Sequence, residues 1–157
     1  KISYSIEDYP LGTGGAIKKA ISKIKNDYFY VFNGDSYLNL NIKNLDNFYH
    51  KFKKNVIVGK EVCDVERFGL IVSEEGVIKK FNEKKSSGHG IINTGCYLFK
   101  SNIIKQFPDL VNFSLENEAF PYLIKKENIL LYLANGEFID IGTPEDYEKA
   151  QTLLKDL

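Results

Sequence analysis

Two aspartates, Asp35 and Asp140, each follow a short run of aromatic and β-branched residues that has the composition of a buried strand. The first run, Tyr28–Phe32, reaches Asp35 through an Asn-Gly dipeptide, and the second, Phe138–Ile139, leads directly into Asp140. In open α/β sheets ligands bind beyond the carboxyl ends of the strands, so both acids face a candidate site. Two carboxylates at one sheet edge can share a divalent cation. For Asp35 alone a surface turn is the alternative, because Asn-Gly-Asp is also good turn chemistry.

A glycine-rich loop near the start of the chain is the next candidate for ligand contact. Residues 7–15 contain one proline and three glycines, follow a strand-like alternation at Ile2–Ile6 and precede an amphipathic helix at 16–24. Gly-x-Gly-Gly before a helix would also suit a dinucleotide site. The third glycine spacing and the ribose-binding acid of that motif are missing, which counts against this alternative.

The remaining elements predict the fold. A helix within 40–52 and a strand at 56–59 continue the alternation of strand and helix, which implies right-handed crossovers. The later half adds a hairpin at 68–81, a strand at 90–99, a helix from Ser114, a second hairpin around Asn135-Gly136 and a final helix from Pro144. We therefore predict an α/β class fold with a Rossmann-like mixed, mainly parallel sheet flanked by helices, with antiparallel hairpin additions. All 157 residues are expected to form one domain.

Composition excludes several partners. The 21 basic and 21 acidic residues balance and are spread along the chain, so no nucleic-acid partner is expected. No apolar run approaches the roughly 18 residues that span a bilayer, so no membrane partner is expected either. Cys63 and Cys96 are interpreted as core thiols of a cytoplasmic protein. Arg67 is the only arginine, which excludes a phosphate site of several arginine clamps within this chain.

Five segments occur in an order that resembles the sugar-1-phosphate nucleotidyltransferases, and in particular the guanylyltransferases of manno-heptose and mannose 1-phosphates. They cover nearly the whole chain, and together they are far more specific than any one alone. The segments are Pro10–Ala16, Asn33–Asp35, Phe81–Lys84, Asn93–Gly95 and Asp140–Pro144. The resemblance implies that GTP and a sugar 1-phosphate give a GDP-sugar and pyrophosphate, for bacterial surface polysaccharide synthesis. It is also compatible with a homodimer.

The resemblance assigns catalytic roles to three residues. It implies that Asp35 and Asp140 hold Mg²⁺ against the α-phosphate of the nucleotide and the incoming sugar phosphate. It further implies that Lys84 bridges the nucleotide and sugar phosphates as a mobile point charge. An ordinary solvated lysine is the alternative for Lys84.

Sugar and nucleotide contacts are implied in the same way. Glu83, Asn93 and Thr94 are expected to bind sugar hydroxyls, with a strand bulge before Gly95 as the competing account of Asn93 and Thr94. Gly69 resembles the family glycine whose backbone approaches the sugar, and a glycine needed for the hairpin explains it equally well.

The nucleotide is expected at the glycine-rich loop. Gly12, Thr13 and Gly14 resemble the loop that contacts the base, and a simple strand-to-helix connection is the alternative. Glu116 and Glu118 are interpreted as complements to the positive end of their helix.

Glu7 is the candidate for selecting guanine. It precedes the loop at the expected end of the first strand, beside the base. A carboxylate only accepts hydrogen bonds, and guanine offers two adjacent donors, N1–H and the 2-amino group. An exposed glutamate in a turn is the alternative.

One part of the family pattern has no match here. The family opens with a strand and a glycine-rich loop that carries an arginine and a lysine for the triphosphate. About two βα units, on the order of 60 residues, would contain them, so we expect the reading frame to continue upstream of Lys1. Without them this chain is expected to be inactive. A uridylyl- or thymidylyltransferase and a non-catalytic nucleotide-sugar-binding homologue remain alternatives.

Overall fold

The computed structural model describes residues 2–82 and 88–156. Within them the helices are α1 (Gly12–Ala20), α2 (Ile42–Phe52), α3 (Phe120–Leu123) and α4 (Pro144–Leu153). A π-helical turn, Leu115–Ala119, leads into α3, and 3₁₀ turns cover Ile21–Lys23, Ser101–Gln106 and Leu154–Asp156. The strands are β1 (Tyr28–Phe32), β2 (Ser36–Leu38), β3 (Val56–Val62), β4 (Leu70–Glu74), β5 (Val77–Asn82), β6 (Gly90–Lys100), β7 (Leu130–Leu133) and β8 (Phe138–Asp140).

A six-stranded sheet in the order β1-β6-β3-β7-β5-β4 forms the centre of the fold. β4 also pairs with the first residues of β6, so five of the strands form a closed ring of pairings. The predicted mixed α/β sheet flanked by helices is confirmed. β1, β3 and β7 run in one direction, but β6 lies between β1 and β3 and runs against both. Among the described pairings only β3–β7 is parallel, so direct neighbours are mainly antiparallel and not mainly parallel as predicted.

The two faces of the sheet are covered by different helices. On one face Phe99 and Tyr97 of β6 pack with Phe120 of α3, and the apolar side of α1 lies against the same cluster. On the other face Leu45 and Tyr49 of α2 cover side chains from β3 and β6. Successive side chains of a strand point to opposite faces, so a strand buried on both faces is apolar along its length, as β3 is at its start.

Three local predictions are wrong. Residues 2–6 form no strand and their apolar side chains are exposed, because no described strand lies beside them. Cys63 follows β3 and is exposed, whereas burial raises the pKa of the Cys96 thiol to about 12. The hairpin around Asn135-Gly136 does not form, since β7 stays in the large sheet and β8 pairs with β2 in a separate two-stranded sheet.

The turn that replaces this hairpin explains why residue 136 is a glycine. A Cβ at Gly136 would lie 1.7 Å from the carbonyl oxygen of Asn39, so the chain passes too close for any side chain. The Lys60 ammonium donates a hydrogen bond to the Gly136 carbonyl at 2.7 Å. The predicted hairpin at 68–81 does form, with Glu75 and Gly76 both at positive φ, as a two-residue turn between twisted strands requires. None of the described helices is long and apolar enough to cross a bilayer.

Candidate active site

The two-stranded sheet brings the two predicted metal ligands together. Ser36 of β2 pairs with Asp140 of β8, and the Ile141 amide donates to the Asp35 carbonyl at 2.8 Å, which places Asp35 beside Asp140. Within each carboxylate, Oδ1 accepts a local hydrogen bond, from Ser36 Oγ at 3.3 Å in Asp35 and from the Gly142 amide at 2.8 Å in Asp140. Each group keeps a second oxygen. Two hard oxygen donors with room for water are what Mg²⁺ requires of a protein.

A β-bulge in β6 holds the Asn33–Asp35 segment in place. The β3–β6 register shifts between Val58 and Gly59, and Gly95 in the bulge has a φ of 71°. The Asn33 amide donates to the Gly95 carbonyl at 2.8 Å, and a Cβ at Gly95 would lie 2.6 Å from Asn33 Nδ2. A glycine is therefore required for Asn33 to approach this closely, and the bulge predicted as the alternative is present.

Thr94 belongs to this bulge. Its side chain is 2% exposed, and its hydroxyl donates to the Val58 carbonyl at 2.8 Å. The hydroxyl proton therefore has an internal partner, and the sugar contact of Thr94 stays a prediction. In the sequence, the signal for the bulge is Gly95, the glycine that follows Thr94.

A cleft of about 560 Å³ has Asp140 and Ser36 in its wall. Its lining includes three predicted residues, Gly69, Asn93 and Asp140. A Cβ at Gly69 would come no closer than 4.0 Å to the carbonyl oxygen of Asn82. The Gly69 carbonyl accepts a hydrogen bond from the backbone N–H of Asn93 at 3.2 Å. Gly69 therefore leaves open space at the cleft wall. The other lining residues are Asn33, Ser36, Arg67, Phe68, Phe81, Asn82, Gly95, Glu116, Asn117 and Pro121.

Arg67 is a cleft residue for which the sequence predicts no partner. Its guanidinium donates to Asp146, whose side chain is only 11% exposed. Asp146 lies in the first turn of α4, where its amide donates back to the Thr143 hydroxyl. The Thr-x-x-Asp spacing signals this capping box in the sequence, but nothing in the sequence pairs Asp146 with an arginine 79 positions away.

The glycine-rich loop is largely the first turn of α1. Gly12 has a φ of 71°, and a Cβ at Gly14 would lie 2.2 Å from the ring of Phe113. The amides of Gly14 and Gly15 donate to the Phe113 carbonyl. Close packing of α1 on residues 111–113 thus accounts for Gly14 and Gly15, while Gly12 and Thr13 lie at the exposed start of the helix.

Glu116 was interpreted as a helix-end charge, and the structure places it in the cleft wall. Its carboxylate accepts hydrogen bonds from Thr13 Oγ1 at 2.9 Å and from the hydroxyl of Tyr97 at 3.2 Å. Glu118 does act at the helix end, where it accepts from the Ser114 amide. The sequence gives no signal that separates these two glutamates, because both lie in the first helical turn after Ser114.

Glu7 lies next to the start of α1, and its contact with the nucleotide stays a prediction. Its Oε2 accepts from the Leu11 amide at 3.1 Å, and the side chain is otherwise exposed. Glu83 and Lys84 lie outside the described residues.

Comparison with known proteins identifies the family. The model of the nucleotidyl transferase family matches residues 1–156. The chain is 38% identical to a D-glycero-alpha-D-manno-heptose 1-phosphate guanylyltransferase of Campylobacter jejuni, over 94% of this chain and 65% of the relative. It is 34% identical to a mannose-1-phosphate guanylyltransferase of Mycobacterium tuberculosis, over 98% of this chain and 44% of the relative.

A solved structure agrees with the sequence relatives. The crystal structure of HddC from Yersinia pseudotuberculosis complexed with GMP-PN matches with a TM-score of 0.82 and 38% identity, over 96% of this chain and 65% of that one. The chain thus spans less than two thirds of the length of these three proteins. A family model that matches almost every residue, relatives above 30% identity and the shared fold lead to one conclusion: the chain belongs to the nucleotidyl transferase family.

Proposed function

We propose that the polypeptide containing this chain is a sugar-1-phosphate guanylyltransferase that converts GTP and a manno-heptose or mannose 1-phosphate into a GDP-sugar and pyrophosphate. The observation that carries the proposal is that the β2–β8 sheet brings the backbone of Asp35 next to Asp140, which lines a polar cleft, in a member of the nucleotidyl transferase family. The names of the Campylobacter and Mycobacterium relatives support guanylyl transfer, to heptose and mannose phosphates respectively. A manno-heptose product would be a glycosyl donor for bacterial surface polysaccharide.

The reaction needs positioning and charge neutralisation more than covalent chemistry. An oxygen of the sugar 1-phosphate attacks the α-phosphorus of GTP in line. The bond from that phosphorus to the oxygen bridging the α- and β-phosphates breaks, and pyrophosphate leaves with the electron pair. Asn93 can donate to and accept from a sugar hydroxyl, and the open space at Gly69 lets the sugar approach the backbone. Lys84 is proposed to bridge the phosphates.

Mg²⁺ is the proposed cofactor, held by Asp35 and Asp140. Both carboxylates keep an oxygen that the local hydrogen bonds described above do not use. Asp35 directly precedes β2, and Asp140 ends the neighbouring strand β8. Bound there, the ion supplies positive charge next to the reacting phosphates. The chain's own contribution is to hold two carboxylates at a fixed separation through the β2–β8 pairing.

Guanine selection is proposed for Glu7. The Leu11 hydrogen bond keeps its carboxylate beside Gly12, at the start of the nucleotide loop. Uracil and thymine present one N–H between two carbonyl oxygens, which a carboxylate repels, whereas guanine presents two donors on one edge. A carboxylate at this place therefore favours GTP over UTP and dTTP.

The test uses the polypeptide of the complete reading frame. It is incubated with Mg²⁺, mannose 1-phosphate or a manno-heptose 1-phosphate, and each of GTP, UTP, dTTP, CTP and ATP, and pyrophosphate release and nucleotide-sugar are measured. We expect GDP-sugar to form fastest. Preferential use of UTP or dTTP would overturn guanylyl transfer in favour of another nucleotide. Nucleotide-sugar binding without turnover would instead indicate a regulatory homologue.

A further inference from the structure

A chain of hydrogen bonds joins the nucleotide loop to the sugar side of the cleft through Glu116. At one end Thr13 Oγ1 donates to Glu116 Oε2 at 2.9 Å. The hydroxyl of Tyr97 donates to Glu116 Oε1 at 3.2 Å, and Asn93 Nδ2 donates to the Tyr97 oxygen at 2.9 Å. Two residues predicted to bind different ligands, Thr13 and Asn93, are therefore the two ends of one network.

The carboxylate fixes the direction of every bond in this chain. A carboxylate has no proton to donate, so Tyr97 must give its single proton to Glu116 and accept from Asn93. The Asn93 amide then points its nitrogen at Tyr97, and its Oδ1 accepts from the Gly95 amide at 3.2 Å. One N–H and one lone pair of the amide are left for a ligand in the cleft.

The other end is equally constrained. Thr13 Oγ1 accepts from the Leu115 amide at 2.8 Å, so its single proton is the one that goes to Glu116. Ser114 Oγ donates to the same Glu116 oxygen at 3.0 Å. The start of α1 is thereby tied to the turn that carries Glu116.

Tyr97 links the orientation of the Asn93 amide to Glu116, and it can do so because it is fully buried among apolar side chains. Burial and the charge of Glu116 raise the pKa of its phenol, which keeps the phenol protonated and a donor at ordinary pH. Because the Tyr97 hydroxyl is buried, water cannot replace Glu116 as its hydrogen-bond acceptor. The hydroxyl therefore needs the carboxylate.

We propose that Glu116 is a positioning residue, whose carboxylate orients the Asn93 amide through Tyr97 for the sugar phosphate and anchors Thr13 beside the nucleotide. The inference rests on the proposed function for the identity of the two ligands. It does not require Glu116 to touch either of them.

Replacement by glutamine separates this role from simple space filling. Glutamine has the same shape but one acceptor oxygen and one donor group. With its nitrogen toward Tyr97 it reverses the phenol and forces the Asn93 amide to flip away from Gly95. With its nitrogen on the other side it meets the protons of Thr13 and Ser114. In either case at least one bond of the network must reverse its direction or be lost.

The kinetic test compares Glu116→Gln, Tyr97→Phe and their double variant in the complete polypeptide. We expect each single variant to raise the KM for the sugar 1-phosphate about ten-fold, the scale of one hydrogen bond to a charged group. The double variant should be no worse than the worse single one, because both changes break the same chain. Additive losses would overturn the proposal, since they would mean that Glu116 acts without Tyr97.

Glu118→Gln is the matched control. It removes the same charge from the same helical turn and disturbs a hydrogen bond from the backbone amide of Ser114, but among the described residues Glu118 has no hydrogen bond to Thr13, Tyr97 or Asn93. We expect a KM close to that of the wild type. A Glu116→Gln variant that behaves like Glu118→Gln would show that any effect is general loosening of the turn, and would overturn the proposal.

A second measurement decides the matter without turnover. The side-chain amide signals of Asn93, assigned by their loss in Asn93→Ala, should shift in nitrogen–proton correlation spectra of Glu116→Gln and Tyr97→Phe but not of Glu118→Gln. Unchanged signals in Glu116→Gln would overturn the positioning role. A wild type that makes no GDP-sugar while these signals shift as expected would overturn the proposed function alone.

Discussion

Arg67 donates a hydrogen bond from Nη2 to Oδ2 of Asp146 at 2.5 Å, and this ion pair joins the wall of the cleft to the first turn of α4. The same Asp146 oxygen accepts from the Thr143 hydroxyl at 2.7 Å. Thr143 follows Asp140 by three residues, so the turn after the candidate metal ligand is held from both sides. The hydrogen bond from Arg67, and next that from Thr143, hold the pKa of Asp146 well below its usual range.

The first prediction concerns the pH dependence of this ion pair. Asp146→Asn should lower the melting temperature at neutral pH, because the folded state loses a charged partner of Arg67. A carboxyl whose pKa is lowered on folding stabilises the protein above its unfolded pKa of about 4 and loses that contribution as pH falls through the folded value. The difference from the wild type should therefore stay constant from about pH 8 to pH 5 and shrink below about pH 4.

Thermal unfolding of both proteins across that range checks this. Asp109→Asn is the control, because Asp109 is fully exposed and its pair with Lys18 is 3.8 Å long. A wild-type advantage over Asp146→Asn that grows on acidification would contradict the assignment.

The second prediction concerns the metal ligands. Asp35→Asn and Asp140→Asn should each abolish most turnover in the complete polypeptide while leaving the melting temperature nearly unchanged. Asp35 is exposed and Asp140 is half-buried at the edge of the small sheet, so the fold needs their charge little. The loss should appear mainly in kcat, because the charges act on the transition state. Near-normal turnover of either variant at saturating Mg²⁺ would mean that its residue is not a ligand.

The third prediction concerns the base. Glu7→Gln should reduce kcat/KM for GTP by ~1–3 kcal/mol, the scale of a lost charged hydrogen-bonding partner, and improve the relative use of UTP or dTTP. Steady-state kinetics with four nucleotides checks the ranking. The neighbouring Asp8→Asn is the control, since Asp8 contacts Lys19 and not the loop backbone. An unchanged ranking in Glu7→Gln would remove the role in guanine selection.

The fourth prediction concerns packing beneath the nucleotide loop. Gly14→Ala should destabilise the protein by about 1–3 kcal/mol, since the added methyl group meets the ring of Phe113, which is 1% exposed and cannot move aside. In open space the same change within a helix would stabilise it by about 1 kcal/mol. Gly34→Ala is the control, because a Cβ there meets nothing within 4 Å. Urea unfolding of both variants measures the difference, and equal midpoints would contradict the packing argument.

Local patterns predicted the fold class well and the pairing of strands less well. The turn at Glu75-Gly76 and the strand β6 were predictable, because turn residues and alternation are properties of neighbours in sequence. The insertion of β6 between β1 and β3 was not, since it depends on which strands meet after the chain has folded. The same limitation explains the hairpin at Asn135-Gly136, where a good turn dipeptide was overruled by the close passage of Gly136 past Asn39.

In the candidate site, too, some features could be predicted from local sequence and others depend on the folded chain. The backbones of Asp35 and Asp140 meet through the antiparallel β2–β8 pairing and not at the carboxyl ends of parallel strands. As candidate site residues both could be predicted, because each follows a strand-like run. Glu116 could not, because a glutamate one turn after a helix cap looks alike whether it faces water or a cleft. The burial of Thr94 could not be predicted either, because the pattern does not show on which face of a bulged strand a residue lies.

The β2–β8 sheet has only three residues in each strand, and isolated pairs of this size are marginally stable in water. It can open locally while the six-stranded sheet stays intact, so assembly of the two aspartates is itself a small folding equilibrium. A cation that binds only the closed form would draw this equilibrium toward closure. In hydrogen exchange, the Ile141 and Asn39 amides should therefore exchange quickly without divalent cation and become protected when it is added, while the amides of β3 stay unchanged.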